Sequence, residues 1–498
     1  MLIACPPWIA CRTWLAGKAD SRSFISNELT HEFIQLDAEA SDIWCFIAER
    51  GRVSRADLKR FAEDIGVGDE IDDFVTTLQD GRYLTIAGET LSASAMPPPP
   101  PLPMGREIHQ TVELDMMEWV QGKGFLWCLF WEITYRCNET CIHCFNPGAA
   151  HLPGEKPDRN RAELTTEEAF RLIDEAVSLG VFKLVLSGGE ALLRRDLLDI
   201  IAYARSRRLS VELYTNGLAL DDAALGRLAT LWPHRVSISL YSTTPVLHDR
   251  VTRVPGSFER SVAALKRLHA AGIKTVVKSL QMQDTVQGYH LTRALAVELG
   301  ASVQLDMGLT PGLDGNTAPL DLAITDFNEL VVMAATPESP LWVGDAETRW
   351  SQQDAHQRRH DPICGAGRTI ISVDPEGTLF ACNSMPVPVG TFRDGGLSAL
   401  WQAAKDETGH PLHRIRQTVW ADQAECGSHD RCGWCRRCPG QSVLETGDAA
   451  QPSSFNCEQA QARMIAAHLL QQGVSVDDIH QQRGVPNSFG FRAGPRTS

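Results

Sequence analysis

The stretch from Tyr135 to Cys144, YRCNETCIHC, constrains this chain more than any other, because it sets Cys137, Cys141 and Cys144 in a C-x3-C-x2-C spacing. Three thiolates on one short loop describe a metal site that is one ligand short. A [4Fe-4S] cluster asks for four ligands, so three cysteines leave one iron open to a substrate or cofactor. Residues 125 to 134 (FLWCLFWEIT) read as a buried strand. The loop is therefore expected at a strand's C-terminal end, where barrel enzymes keep their chemistry. Three buried structural cysteines, or a zinc ion with His143 as fourth ligand, are the alternatives that the spacing leaves open.

The whole chain carries 14 cysteines in 498 residues. No apolar run approaches the roughly 18 to 20 residues needed to span a bilayer. Leu2-Ile3-Ala4-Cys5 has the look of a lipoprotein cleavage site but lacks a basic region and a long hydrophobic run. The expected compartment is the cytoplasm, where clustered cysteines bind metal more often than they form disulfides. A net charge of -15 argues against nucleic acid or an anionic membrane as the main partner. The length predicts about three domains.

In the N-terminal part, residues 21 to 37 have the pattern of paired short strands, and residues 38 to 50 place Ile43, Phe46 and Ile47 on one helical face. Ser54 is the expected N-cap of a second helix. A third runs from about Asp69 to Gln79, with Ile71, Phe74, Val75 and Leu78 apolar, and residues 81 to 86 close as a strand. This predicts a small winged-helix-like unit over residues 1 to 95. Nine Lys or Arg stand against sixteen Asp or Glu there, an excess of negative charge that repels phosphate. The passages 36 to 67 and 78 to 86 resemble the peptide-recognition domain of enzymes that make ribosomal peptide natural products, the type related to the pyrroloquinoline quinone peptide chaperone. The resemblance implies that a precursor peptide's leader binds as an added strand on a sheet edge. Five consecutive prolines, Pro97 to Pro101, then mark residues 96 to 107 as a stiff linker.

Beyond the cysteine loop, helix and strand alternate. Thr165-Thr-Glu-Glu168 is a capping box opening a helix that stops at Gly180, and residues 181 to 186 form an apolar strand of the parallel kind. Strands are expected at 211–215, 235–240, 274–278 and 302–306, so residues 108 to 330 predict a partial, six-unit (β/α) barrel. The strand 181–186 ends in Ser187-Gly-Gly-Glu190, where glycines permit close approach to the backbone and a carboxylate can receive an ammonium. The cysteine loop, with the ring of His143 before its third cysteine, and this downstream Gly-Gly-Glu together resemble the radical S-adenosylmethionine (SAM) superfamily. The resemblance implies that SAM chelates the open iron and is cleaved by one electron to a 5'-deoxyadenosyl radical. It further implies that Gly188, Gly189 and Glu190 hold SAM's amino group, and that Asn216 and Ser239 face SAM. Arg253, in the segment HDRVTRVPGSFERSV, is a candidate to neutralise SAM's carboxylate. Asp306, at the end of strand 302–306, is a candidate catalytic proton acceptor.

Seven more cysteines follow: Cys364, Cys382, Cys426, Cys432, Cys435, Cys438 and Cys457. Seven is too many for one tetrahedral ion. Residues 331 to 485 resemble the SPASM extension of peptide-modifying radical SAM enzymes, although the family's x2, x5, x3 spacing reads x5, x2, x2 here. The resemblance implies two auxiliary [4Fe-4S] clusters, one on Cys364, Cys382 and Cys438 and another on Cys426, Cys432, Cys435 and Cys457. Cys5, Cys11, Cys45 and Cys128 remain as small buried hydrophobes. Residues 458 to 472 read as an amphipathic helix, and residues 486 to 498 as a mobile tail.

The function implied is modification of a ribosomal precursor peptide by hydrogen abstraction, closing a carbon-carbon or thioether cross-link, with flavodoxin or ferredoxin as electron donor. Maturation of a sulfatase or amine dehydrogenase subunit, pyrroloquinoline quinone assembly, and a non-catalytic iron-sulfur carrier are the alternatives.

Overall fold

Strands buried on both faces need apolar side chains pointing both ways, and a parallel sheet supplies that environment. The chain was described by a computed structural model covering residues 2–86, 108–146, 162–312, 316–337, 339, 341–343, 362, 364–419 and 429–481. The proline run, Cys426 and the C-terminal tail lie outside the described residues.

Six strands occupy the first 86 residues: β1 (Leu2–Ala4), β2 (Ile9–Trp14), β3 (Arg22–Asn27), β4 (Glu32–Asp37), β5 (Arg52–Ser54) and β6 (Thr85–Ile86). They form two antiparallel three-stranded sheets, ordered β5-β1-β6 and β2-β3-β4. The paired strands expected within 21 to 37 are β3 and β4, in register from Arg22↔Asp37 to Asn27↔Glu32. Three helices follow the sequence pattern, at Ala38–Arg50, Arg55–Asp64 and Ile71–Asp80. Ser54 caps the second, accepting from the Asp57 N–H. Phe46 and Phe74 stay half-buried, and Trp44 takes the core position beside Ile43 and Ile47. Phe46 stacks instead on Phe61 at 4.2 Å.

The central sheet has nine strands in the order β12-β11-β10-β9-β8-β7-β13-β14-β15. Its parallel part is β7 (Cys128–Glu132), β8 (Lys183–Ser187), β9 (Ser210–Thr215), β10 (Arg235–Ser239), β11 (Thr275–Leu280) and β12 (Ser302–Asp306), the six expected strands. The pleat divides each strand. Leu129, Trp131, Leu184, Leu186, Val211, Leu213, Val236 and Ile238 face the helices in one apolar core. Cys128, Phe130, Val185 and Tyr214 pack on the opposite face, inside the curved sheet. Thr165 and Glu168 form the full reciprocal capping box on helix Thr166–Ser178.

Two additions to the sequence expectation matter. The sheet crosses the anticipated boundary near residue 330, since β13 (Ile370–Val373) pairs in parallel with β7, and β14 (Thr378–Cys382) and β15 (Met385–Thr391) extend it antiparallel. The β2-β3-β4 sheet covers the N-terminal end of the barrel. Ala10, Trp14 and Phe24 share one core with Trp127, Cys128, Phe182 and Val185, and the Arg12 Nε donates to the Val181 carbonyl at 2.9 Å. At the C-terminal end, helices Phe327–Ala335 and Ser454–Gln471 share a further core. The second begins four residues earlier than its pattern suggested, at the Ser453 cap, which places Cys457 inside its first turn. No helix among the described residues is long and apolar enough to cross a membrane.

Candidate active site

β7 delivers the cysteine loop to the C-terminal mouth of the barrel. Cys137, Cys141 and Cys144 are half-buried and unpaired in disulfides. Burial pushes the Cys137 thiol up to about 12 and the Cys141 thiol well above its ordinary value, and Cys144 adds to the rise at both. Among the described residues no three His, Cys, Asp or Glu side chains converge at the spacing of a single ion. The Cys137 and Cys144 thiols both lie near enough to Cys141 to act on it. His143 packs its ring against Tyr241, 4.7 Å between centroids.

Gly188 and Gly189 serve that loop directly. A Cβ on Gly188 would run into the Thr134 carbonyl, and one on Gly189 into the Arg136 carbonyl. Gly188 also has a φ of 132°, which favours glycine. The bare backbones meet through Gly189 N–H to Thr134 O and Glu190 N–H to Arg136 O, both 2.8 Å. The close approach that the glycines permit is thus made by the chain's own cysteine loop.

Glu190 is fully buried. Its carboxylate accepts from Thr215 Oγ1 at 2.6 Å, from the Asn216 N–H at 2.6 Å and from the Leu192 N–H at 2.9 Å. Burial raises its pKa, opposed by those three donors. Asn216 reaches back to the cysteine loop, donating through Nδ2 to Asn138 Oδ1 at 2.6 Å. Glu190 and Asn216 therefore tie three strand ends, β7, β8 and β9, into one mouth. Ser239 stands at the end of β10, its hydroxyl close to the Tyr241 side chain.

The remaining two candidates sit differently. Arg253 is exposed in a left-handed position (φ 59°) after helix Pro245–Thr252. Asp306 is exposed at the end of β12, where Oδ1 accepts from the Met307 and Gly308 N–H groups at 2.6 and 3.0 Å.

Two mouth residues escaped the sequence reading. Glu132 ends β7 on the lumen side and is buried; its carboxyl is pushed up to about 7, by burial first and then by Asp374. Lys278 on β11 lies with Nζ 3.7 Å from the Tyr214 ring centroid. In each case the available signal was a charge on the inward side of an apolar strand.

Two neighbourhoods are seen among the later described cysteines. Cys364, Cys382 and Cys438 lie within electrostatic reach of one another. Cys457 lies near Cys432, whose carbonyl accepts from the Cys435 N–H at 3.2 Å. Cys5, Cys11 and Cys128 are buried as expected, whereas Cys45 is half-buried with Sγ 3.3 Å from Glu49.

The Radical SAM superfamily model matches residues 131–282. A PqqA peptide cyclase of Ruegeria pomeroyi is 35% identical over 345 residues, covering 64% of this chain and 84% of that protein. A mycofactocin maturase MftC of Mycobacterium ulcerans is 30% identical, covering 62% of this chain and 82% of the maturase. An AdoMet-dependent heme synthase of Methanosarcina barkeri is 26% identical, over 65% of this chain and 94% of the synthase. Among solved structures, Streptococcus suis SuiB bound to S-adenosylmethionine shares the fold at TM-score 0.53 and 14% identity, covering 91% of this chain and 99% of SuiB.

Proposed function

This chain belongs to the radical SAM superfamily, and from that premise we propose that it modifies a ribosomally made precursor peptide by hydrogen abstraction, closing a carbon-carbon or thioether cross-link. The observation that carries the reading is the clasp of cysteine loop and Gly-Gly-Glu loop at an open mouth, above a barrel floor closed by the N-terminal sheet. Cys137, Cys141 and Cys144 would hold a [4Fe-4S] cluster, which together with SAM would supply the radical chemistry for hydrogen abstraction from the peptide.

In this reading Gly188 and Gly189 set the loop's distance from the second strand, and Glu190 holds that spacing through its three donors. Asn216 and Ser239 offer polar side chains at the mouth, and Arg253 is the cation available to SAM's carboxylate. Asp306 stands as a candidate proton acceptor across the mouth. Two auxiliary clusters would be held by Cys364, Cys382 and Cys438, and by Cys432, Cys435 and Cys457 with Cys426. The proximity of the Cys364, Cys382 and Cys438 thiols to one another, and of the Cys457 thiol to Cys432, supports that division. Flavodoxin or ferredoxin is the proposed electron donor.

Precursor peptides fit the named relatives, a peptide cyclase and a maturase. The N-terminal unit offers β5 at a sheet edge, beside a groove lined by Leu2, Phe46, Arg50, Val53, Arg60 and Phe61. We read that edge as the place where a leader adds a strand. The test is anaerobic reaction of the reconstituted protein with SAM, a reductant and the short peptide encoded beside its gene. Formation of 5'-deoxyadenosine with a mass change in the peptide is expected; neither appearing would sink the proposal.

A further inference from the structure

Among the described residues, the lumen wall carries a cation, Lys278, with no carboxylate partner. Lys278 sits on the inward side of β11, in register with Ser239 on β10 and Gln304 on β12. These three make a polar row near the mouth. The lumen cations Lys183 and Arg235, by contrast, have partners. Lys183 lies 2.9 Å from Glu113 and 3.2 Å from Glu212, and Arg235 lies 2.8 Å from Glu212. Glu212 thus already faces two cations.

Among the described residues, no carboxylate stands within ion-pair distance of Lys278. Its ammonium rests on the Tyr214 ring, an attraction that holds it without neutralising it. Asp306, one row nearer the mouth, acts at a distance, and its Oδ1 is engaged by two backbone N–H groups. Burial pulls the Lys278 amine down to about 8, with Glu212 and Asp306 resisting and Arg235 assisting. A desolvated, unneutralised ammonium gains most from an incoming anion. The cysteine loop follows β7 and is clasped by the end of β8, with β9 and β10 standing between that clasp and Lys278. SAM's amino-acid end belongs at the clasp, which leaves the Lys278 wall facing the peptide.

We propose that Lys278, flanked by Ser239 and Gln304, is a specificity-determining residue that receives a carboxylate of the peptide next to its reacting position, either an acidic side chain or the C-terminus. The inference rests on the peptide-modifying reading above and deepens it: the core peptide presents an anion to the lumen.

The test pairs enzyme and peptide changes under anaerobic conditions. Wild type, Lys278→Met and Lys278→Arg are each given the precursor peptide encoded beside the gene, a C-terminally amidated version, and versions with each core Asp or Glu replaced by its amide. Loss of a charged hydrogen bond predicts that Lys278→Met lowers kcat/KM for the native peptide by about tenfold to a hundredfold. One masked peptide should be equally poor with wild type and with Lys278→Met, and its identity tells side chain from C-terminus. Lys278→Arg should recover most of the native rate. A second readout does not depend on turnover: native peptide should shield Lys278 from acetylation, measured by mass spectrometry, and the decisive masked peptide should not. Iron content and SAM affinity should be unchanged in Lys278→Met.

The inference is overturned if Lys278→Met slows native and masked peptides alike, if only SAM affinity changes, or if SAM alone shields the lysine. Wild type that modifies none of the peptides removes the peptide reading, and this inference with it.

Discussion

The two ends of one barrel handle charge in opposite ways. At the floor, Lys183, Glu113, Glu212 and Arg235 form a continuous ion network, and Glu28 of the N-terminal sheet joins His234 at 2.6 Å and Ser210 at 3.0 Å. The charges named there meet partners inside the chain. At the mouth, Glu132 is buried with like-charged Asp374 acting on it, Lys278 rests on a ring, and the Cys137 and Cys144 thiols crowd Cys141. Buried charge is costly unless compensated, so saturated groups mark structure, and groups lacking compensation mark places where compensation arrives from outside. This division matches the general asymmetry of barrels, stability at the N-terminal face and chemistry at the C-terminal face.

The largest effect should come from the mouth. Replacing Cys137, Cys141 and Cys144 together by alanine should remove about four irons per chain and abolish 5'-deoxyadenosine formation, with iron analysis and chromatography as the checks. Little change in the unfolding midpoint of the cluster-free chain is expected, because the thiols are half-buried on a loop. Collapse of the fold would erase the contrast between mouth and floor.

The floor should respond in the reverse sense. Glu212→Gln keeps the shape but strands Arg235 and leaves Lys183 with Glu113 alone, and removing one partner of a buried pair costs about 3–5 kcal/mol. Urea unfolding should report that loss, while SAM cleavage per folded molecule stays at the wild-type level. An unchanged midpoint with lost activity would mean that the floor network belongs to the chemistry.

A pH series sharpens the same point at Glu28. Burial by itself would raise this carboxyl, but His234, Arg205 and His31 outweigh burial and hold it at about 2, below the ordinary 4.5. A depressed carboxyl stabilises the fold fully above about pH 4.5, and that contribution drains away as pH falls toward about 2. The shift corresponds to about 3 kcal/mol at neutral pH. The stability gap between wild type and Glu28→Gln should therefore be widest at pH 6 and narrow steadily toward pH 3. A gap that stays constant with pH would remove the ionised Glu28 from the floor.

Much of this was legible in sequence wherever the cause is local. The Thr165–Glu168 capping box spans four residues and stands as read, and so does strand Ser302–Asp306. What escaped depends on distant partners. β2 reads as ACRT in its middle, with no clean alternation, and is a strand because β3 pairs along its whole length. β13 joins β7 across a separation that local periodicity does not sense, as in Ile370↔Cys128. Side-chain direction was equally hidden: the same reasoning that placed Asp306 and Arg253 at the mouth could not see that one is held by its own loop and the other exposed.

The smallest change in stability should accompany a telling change at the mouth. Gly189 lacks a side chain because the Arg136 and Tyr135 carbonyls stand where a Cβ would go. In Gly189→Ala one backbone must retreat, and since Gly189 and Glu190 donate to the cysteine loop, the retreat is transmitted to the spacing of the thiols. Overpacking of this size costs about 1–3 kcal/mol. The floor network is untouched, so the fold should survive with a modestly lowered unfolding midpoint. A three-thiol cluster site depends on the relative placement of its ligands, so iron retained after gel filtration should fall far more steeply than stability. Full iron retention would mean that the cysteine loop absorbs the strain by itself, and that the clasp positions something other than the cluster.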